Sequence, residues 1–177
     1  LQAMRVASSF FGKGQFQSTE ITQEGNAWVL SSSIEGVYYQ PYPADKIPGD
    51  GDWLKMPKAN RAQSEIQHLN TVITIKEKNN GLEVDINITG TDHVPVSLEL
   101  VFRPGGVFTG LEEIVPNLTY VLKGAEGKYA VENQSISFGP GKAEHKRYNL
   151  RGGLPVFNAP SAYITGSTPF KHTIYLS

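Results

Sequence analysis

Hydrophobic and polar side chains alternate most regularly between Val72 and Phe102. Leu82, Val84, Ile86 and Ile88 alternate with Glu83, Asp85, Asn87 and Thr89. A period of two puts one set on each face of a β-strand, one dry and one wet. The run Val72-Ile73-Thr74-Ile75 is β-branched throughout, and Asn79-Asn80-Gly81 separates it from the alternating run. Asn-Gly supplies the positive φ angles of a tight hairpin, so the two runs are expected to pair as one. Val94, Val96, Leu98, Leu100 and Phe102 continue the alternation until Pro104-Gly105-Gly106 ends it. The three runs together predict an antiparallel meander.

Elsewhere the signal is shorter. Phe10–Ile21 and Trp28–Tyr39 read as extended, with Gln23-Glu24-Gly25-Asn26 as the turn between them. Tyr120–Lys123, Lys128–Val131, Ser135–Phe138, Ala162–Thr165 and His172–Leu176 are further strand candidates. Ala59–His68, preceded by Pro57, is the best helix candidate. About ten short, one-faced strands predict an all-β fold, an antiparallel β-sandwich of jelly-roll or supersandwich type. A closed barrel is the alternative. The segment Pro41–Lys58 has no alternation and is rich in Pro, Gly and Asp. It reads as a long surface loop, a class of segment that often carries function.

Composition bounds this picture without changing it. The chain has 177 residues. No clean linker divides it, so residues 1–177 are expected to form one domain, as a portion or processed product of a longer protein. With 18 glycines and 11 prolines spread along it, the chain should be rich in turns. It contains no cysteine, which removes disulfides and thiolate chemistry from consideration. No run approaches the ~20 apolar residues that span a bilayer. Net charge is −1, yet residues 121–177 carry seven basic and three acidic side chains. A basic final third suits an anionic partner.

Four kinds of chemistry deserve consideration. Lys142, His145, Lys146, Arg147 and Arg151 form a basic cluster, which Arg103 would join through the sheet. Guanidinium forks pair with planar carboxylates and with sulfate groups. Tyr38, Tyr39, Tyr42 and Trp53 gather in or beside the long loop with Gln40, Asp45, Asp50 and Asp52. Such a mixture suits sugars, whose C–H faces stack on aromatic rings while their hydroxyls seek polar partners. The alternative is that these rings pack the core or pin the loop down. Metal chemistry is less favoured: no two histidines stand at a short ligand spacing, although Glu99, His145 and His172 are a conceivable long-range set. Asp45, Asp50 and Asp52 offer oxygen ligands for Ca²⁺, but the rest of an EF-hand loop is missing. No cofactor is otherwise expected. Nucleophile elbows and phosphate loops are absent, and no nucleic-acid-binding motif accompanies the basic cluster.

The runs TGTDHVPVSLELVFR (residues 89–103), ISFGPGKAEHKRYNLRGG (136–153) and YITGSTPFKHTIYL (163–176) resemble the C-terminal β-sandwich region of heparinase II/III-like polysaccharide lyases. The likeness covers about the last half of the chain and rests on strands and glycine turns. It implies an accessory sandwich of a secreted or periplasmic bacterial protein, with a polysaccharide or oligosaccharide as ligand and a catalytic domain as neighbour. The catalytic groups of those lyases come largely from a helical toroid domain, which this sequence cannot form, so no catalytic residue is carried over.

The expectation is therefore a non-catalytic carbohydrate-associated module. Its ligand-contact candidates are Tyr38, Tyr42, Trp53, Arg103, His145, Arg147 and Arg151. Two other readings stay open: a lyase or hydrolase of acidic sugars, using an arginine against the substrate carboxylate and His145 or a tyrosine to move the proton, and a structural module without ligand.

Overall fold

The computed structural model describes residues 1–56, 61–150, 155 and 158–177. Among these the fold is all β, as the periodicity predicts, with thirteen strands in two sheets. The five-stranded sheet has the order β1 (Ala3–Ser8), β6 (Pro95–Val101), β12 (Ser161–Ser167), β9 (Thr119–Val121) and β8 (Glu112–Val115). The eight-stranded sheet has the order β2 (Glu20–Glu24), β3 (Ala27–Tyr39), β4 (Gln63–Lys78), β5 (Gly81–Gly90), β13 (Phe170–Leu176), β11 (Gln134–Gly139), β10 (Gly127–Val131) and β7 (Val107–Thr109). All strand pairs are antiparallel except β9 with β12.

The Asn-Gly hairpin forms as expected. Lys78 pairs with Gly81, and the ladder runs back to Leu69 opposite Gly90. Gly81 is also required by packing, because a Cβ there would meet the Leu176 carbonyl oxygen at 1.8 Å. The inner faces of the two sheets share one core, in which Ile73, Ile86 and Ile174 from one sheet meet Leu98, Leu100 and Ile164 from the other. Burying such side chains contributes about 25 cal/mol per Å² of apolar surface.

Four expectations need correction. The third alternating run does not extend the hairpin into a meander: β5 pairs with β4 and β13, while β6 crosses into the other sheet between β1 and β12. Alternation specifies a face, not a neighbour. The candidate helix is not formed from Gln63 onward, where β4 begins; residues 57–60 lie outside the described residues. Pairing with β3 extends as far as Tyr39 opposite Gln63 and overrides the weak local preference. The first strand is Ala3–Ser8, whereas most of Phe10–Ile21 is irregular. Finally, β3 and β4 run for 13 and 16 residues, longer than the short strands expected.

The two sheets differ on their outer faces. Arg5, Glu99 and Tyr163 stand in register across β1, β6 and β12, on the side away from the core. Solvent nevertheless does not reach this face: Ser97, Glu99, Val101, Ser161, Tyr163 and Thr165 are all buried. The chain after β11 provides the cover. Ala143 bridges to Thr165 beside β12, and the following residues turn onto the outer face, where Tyr148, Asn149 and Leu150 line a small cavity with Arg5, Ser97 and Glu99.

Candidate functional site

Residues 142–147 are tied to the end of β12. The Thr165 amide donates to the Lys142 carbonyl at 2.9 Å, and the Thr165 hydroxyl donates to the His145 carbonyl at 2.8 Å. The Ser167 amide donates to the Glu144 carboxylate at 3.0 Å, while Lys142 pairs with the other oxygen of that carboxylate at 2.7 Å. These bonds hold the Glu144 carboxyl below its ordinary range, the Lys142 contact being the largest cause. His145 works as a strut. The Arg147 amide donates to its Nδ1 at 3.2 Å, which leaves the proton on Nε2, and Nε2 lies 3.1 Å from the Val96 carbonyl and 3.0 Å from that of Gly166. Both ring nitrogens are thus engaged in fixing the segment's path across the strand ends.

Beneath the cover lies a buried ionic cluster. Arg5 Nε donates to Glu99 Oε2 at 2.6 Å, and its guanidinium forms a second, close contact with the same oxygen. The Tyr163 hydroxyl donates to Glu99 Oε1 at 2.8 Å. Arg5 Nη1 also donates to the Pro155 carbonyl at 3.0 Å, which ties Pro155 to β1. Glu99 is only 6% exposed, and polar groups buried this deep need hydrogen-bond partners to offset their lost hydration. Burial first, and then the Glu99 hydrogen bond, raise the Tyr163 phenol well above its ordinary pKa. A proton-abstracting tyrosine would need the opposite shift.

Where the cover passes over β12 it leaves a cleft of about 520 Å³, lined by Ser9, Val115, Thr119, Lys146, Arg147, Tyr148, Asn149, Leu150 and Tyr163. Its volume falls within the range of about 300–1,000 Å³ usual for small-molecule sites. The Tyr148 and Tyr163 rings are 5.5 Å apart and tilted by 43°, so the buried tyrosine supports the half-exposed one.

The candidates read from the sequence are distributed unevenly around this cleft. Arg147 lines it, and His145 holds the segment that carries Arg147. Arg103 does not join them: past the opposite end of β6, it contacts Gln134 at 3.5 Å and Glu132 at 4.0 Å. Its neighbour Tyr129 donates to the Arg103 carbonyl at 2.5 Å, so β10 and β11 are its surroundings. Arg151 lies outside the described residues, as does the side chain of Trp53. The loop tyrosines do not make one platform. Tyr38 is exposed and meets Phe11 edge to face at 5.1 Å. Tyr42 is half-buried under the Arg61 guanidinium, 5.2 Å away, and Arg61 also caps Tyr39 at 5.4 Å. Arg61 further donates to the carbonyls of Tyr39 and Gln40, so these two rings help pin the loop base.

No family model, no curated protein and no solved structure matches this chain. Glu99, His145 and His172 do not converge, because Glu99 faces the cover, His145 spans strand ends, and His172 points its Nε2 at the Pro140 carbonyl on another sheet. Among the described residues no three histidines or acids are grouped as metal ligands. The carboxylates of Asp50 and Asp52 share the Lys55 ammonium, and that contact is the main cause holding Asp50 below its usual pKa. No helix among the described residues is long and apolar enough to cross a membrane.

Tyr148, Asn149, Ser9 and Thr119 escaped the sequence reading. In this stretch the basic side chains carry the evident signal, and the ring and amide between them belong to no motif. The signal that could have found them is Tyr148-Asn149 placed directly after Lys146-Arg147.

Proposed function

We propose that this chain is a non-catalytic carbohydrate-associated β-sandwich module of a bacterial exported polysaccharide-degrading protein, binding sugar in the cleft between the 146–150 segment and the outer face of the five-stranded sheet. The supporting observation is the lining of that cleft. Tyr148 offers an aromatic surface to the C–H face of a sugar ring, as a rigid body with a polar tip. Asn149, Ser9 and Thr119 supply amide and hydroxyl groups for ring hydroxyls. The resemblance to the sandwich region of heparinase II/III-like lyases supports the same reading and makes a catalytic domain the expected neighbour. His145 is engaged at each ring nitrogen and the Tyr163 hydroxyl donates to Glu99, so both groups serve the scaffold of the cleft.

Affinity electrophoresis against a panel of neutral and acidic polysaccharides tests the proposal. At least one polymer should retard the chain, and Tyr148→Ala should abolish the retardation while leaving the melting temperature within a few degrees. Retardation that survives Tyr148→Ala but disappears with Tyr38→Ala would move the site to the loop side of the molecule. Absence of retardation by every polymer would contradict a sugar-binding role.

A further inference from the structure

The charges around the cleft are one-sided. Its lining contains two cations, Lys146 and Arg147, and no carboxylate. Several basic side chains elsewhere among the described residues are already occupied by carboxylates: Arg5 binds Glu99, Lys55 binds Asp50, Lys76 and Lys78 bind Glu83, Lys123 binds Glu112, and Lys142 binds Glu144. Among the described residues neither Lys146 nor Arg147 has an ion pair or a side-chain hydrogen bond, although both are exposed beside a tyrosine and an amide. The Arg147 backbone is fixed through His145, so this guanidinium projects from an anchored segment.

From this we infer that the cleft takes an anionic saccharide, with the planar oxyanion of a uronate or a sulfate on Arg147 and Lys146 and the sugar ring against Tyr148. This inference rests on the carbohydrate-binding reading above and names its ligand class. A guanidinium presents parallel N–H donors that match a carboxylate or sulfate edge, and charge-assisted bonds of this kind are about twice as strong as neutral ones. Lys146 adds a point charge without geometric demand. The lining holds no carboxylate to act as the internal competitor that occupies cations such as Lys123 and Lys142.

Isothermal titration with matched pairs of chains tests this: polygalacturonate oligomers against their methyl esters, and dextran sulfate against dextran. The charged member of at least one pair should bind at least about tenfold more tightly than its neutral counterpart. Raising salt from roughly 0.05 to 0.5 M should weaken that binding, because exposed charges are screened. Arg147→Ala should cost about tenfold or more in affinity for the charged chain. Arg147→Lys should recover only part of it, and the exposed control Lys171→Ala should change nothing. Preference for the uronate chain assigns a carboxylate, and preference for the sulfated chain assigns a sulfate; either supports the inference. Equal binding of charged and neutral members overturns the anionic class while leaving a carbohydrate site in place. Charged-chain binding that is indifferent to Arg147→Ala overturns the placement of the anion. Failure of all four chains to bind overturns the inference, and the Tyr148→Ala panel then decides the broader reading separately.

Discussion

The center of the five-stranded sheet, β6 and β12, is buried on both faces, whereas the center of the eight-stranded sheet is buried on one. In the center of the larger sheet, inner Ile73 and Ile86 are buried while outer Val72 and Tyr175 stay substantially exposed. In the smaller sheet, inner Leu98 and outer Glu99 are both buried. The molecule is thus locally three layers deep, with the 142–150 segment and Pro155 as the third. The contrast teaches that a polar residue at an alternating position does not mark a wet face. Glu99 occupies the place of a solvent-facing side chain and instead anchors a buried cluster.

The strongest way to break this contrast is Glu99→Ala. It leaves half-buried Arg5 without its carboxylate and removes the acceptor of the Tyr163 hydroxyl. Losing one member of a buried pair typically costs about 3–5 kcal/mol, and urea unfolding should show a loss of that order. The double variant Arg5→Met with Glu99→Leu should recover most of it, since well-packed apolar replacements of buried pairs are often tolerated. Next comes Thr165→Val, which removes both bonds of the Thr165 hydroxyl to the His145 backbone for an expected cost of about 1–3 kcal/mol. Its particular signature would be faster amide exchange at residues 143–149 than in the β4–β5 hairpin.

The core of the larger sheet offers a pH test. Burial chiefly, and Lys142 nearby, hold His172 below its ordinary pKa despite the opposing Pro140 hydrogen bond. The folded state therefore takes up this proton less readily than the unfolded chain. Stability should be fully present above about pH 6.5 and fall as pH drops through that value. Denaturation midpoints measured between pH 5 and 8 should show the slope, and His172→Gln should flatten it. The smallest effect is expected at Val72→Thr on the open outer face, within about 0.5 kcal/mol of wild type.

How much of this was legible in the sequence depended on how local the signal was. The Asn79-Asn80-Gly81 hairpin was readable because turn chemistry and period-two alternation coincide within twenty residues. The all-β sandwich followed from many such strands. The crossing of β6 into the other sheet was not readable, because inward Val96, Leu98 and Leu100 would fit either sheet equally well. Nor was β1, whose Ala-Met-Arg-Val-Ala-Ser run alternates only weakly. At the cleft, the basic run from Lys142 to Arg147 drew notice to the correct segment. Arg103 does not belong with it, since the Tyr129 hydroxyl and Gln134 hold it beside β10 and β11, contacts between residues far apart in sequence. Tyr42 attracted attention as an aromatic, but only the structure reveals Arg61 lying across it.

The central claim is that the covered face of the smaller sheet, not the open loop side, holds the ligand. Amide chemical-shift mapping of the ¹⁵N-labelled chain during titration with oligogalacturonate tests it most directly. The account predicts shifts concentrated at Ser9, Thr119 and residues 146–150, saturating together with one affinity. Shifts concentrated instead at Tyr38–Asp52, with the 146–150 amides unmoved, would contradict it.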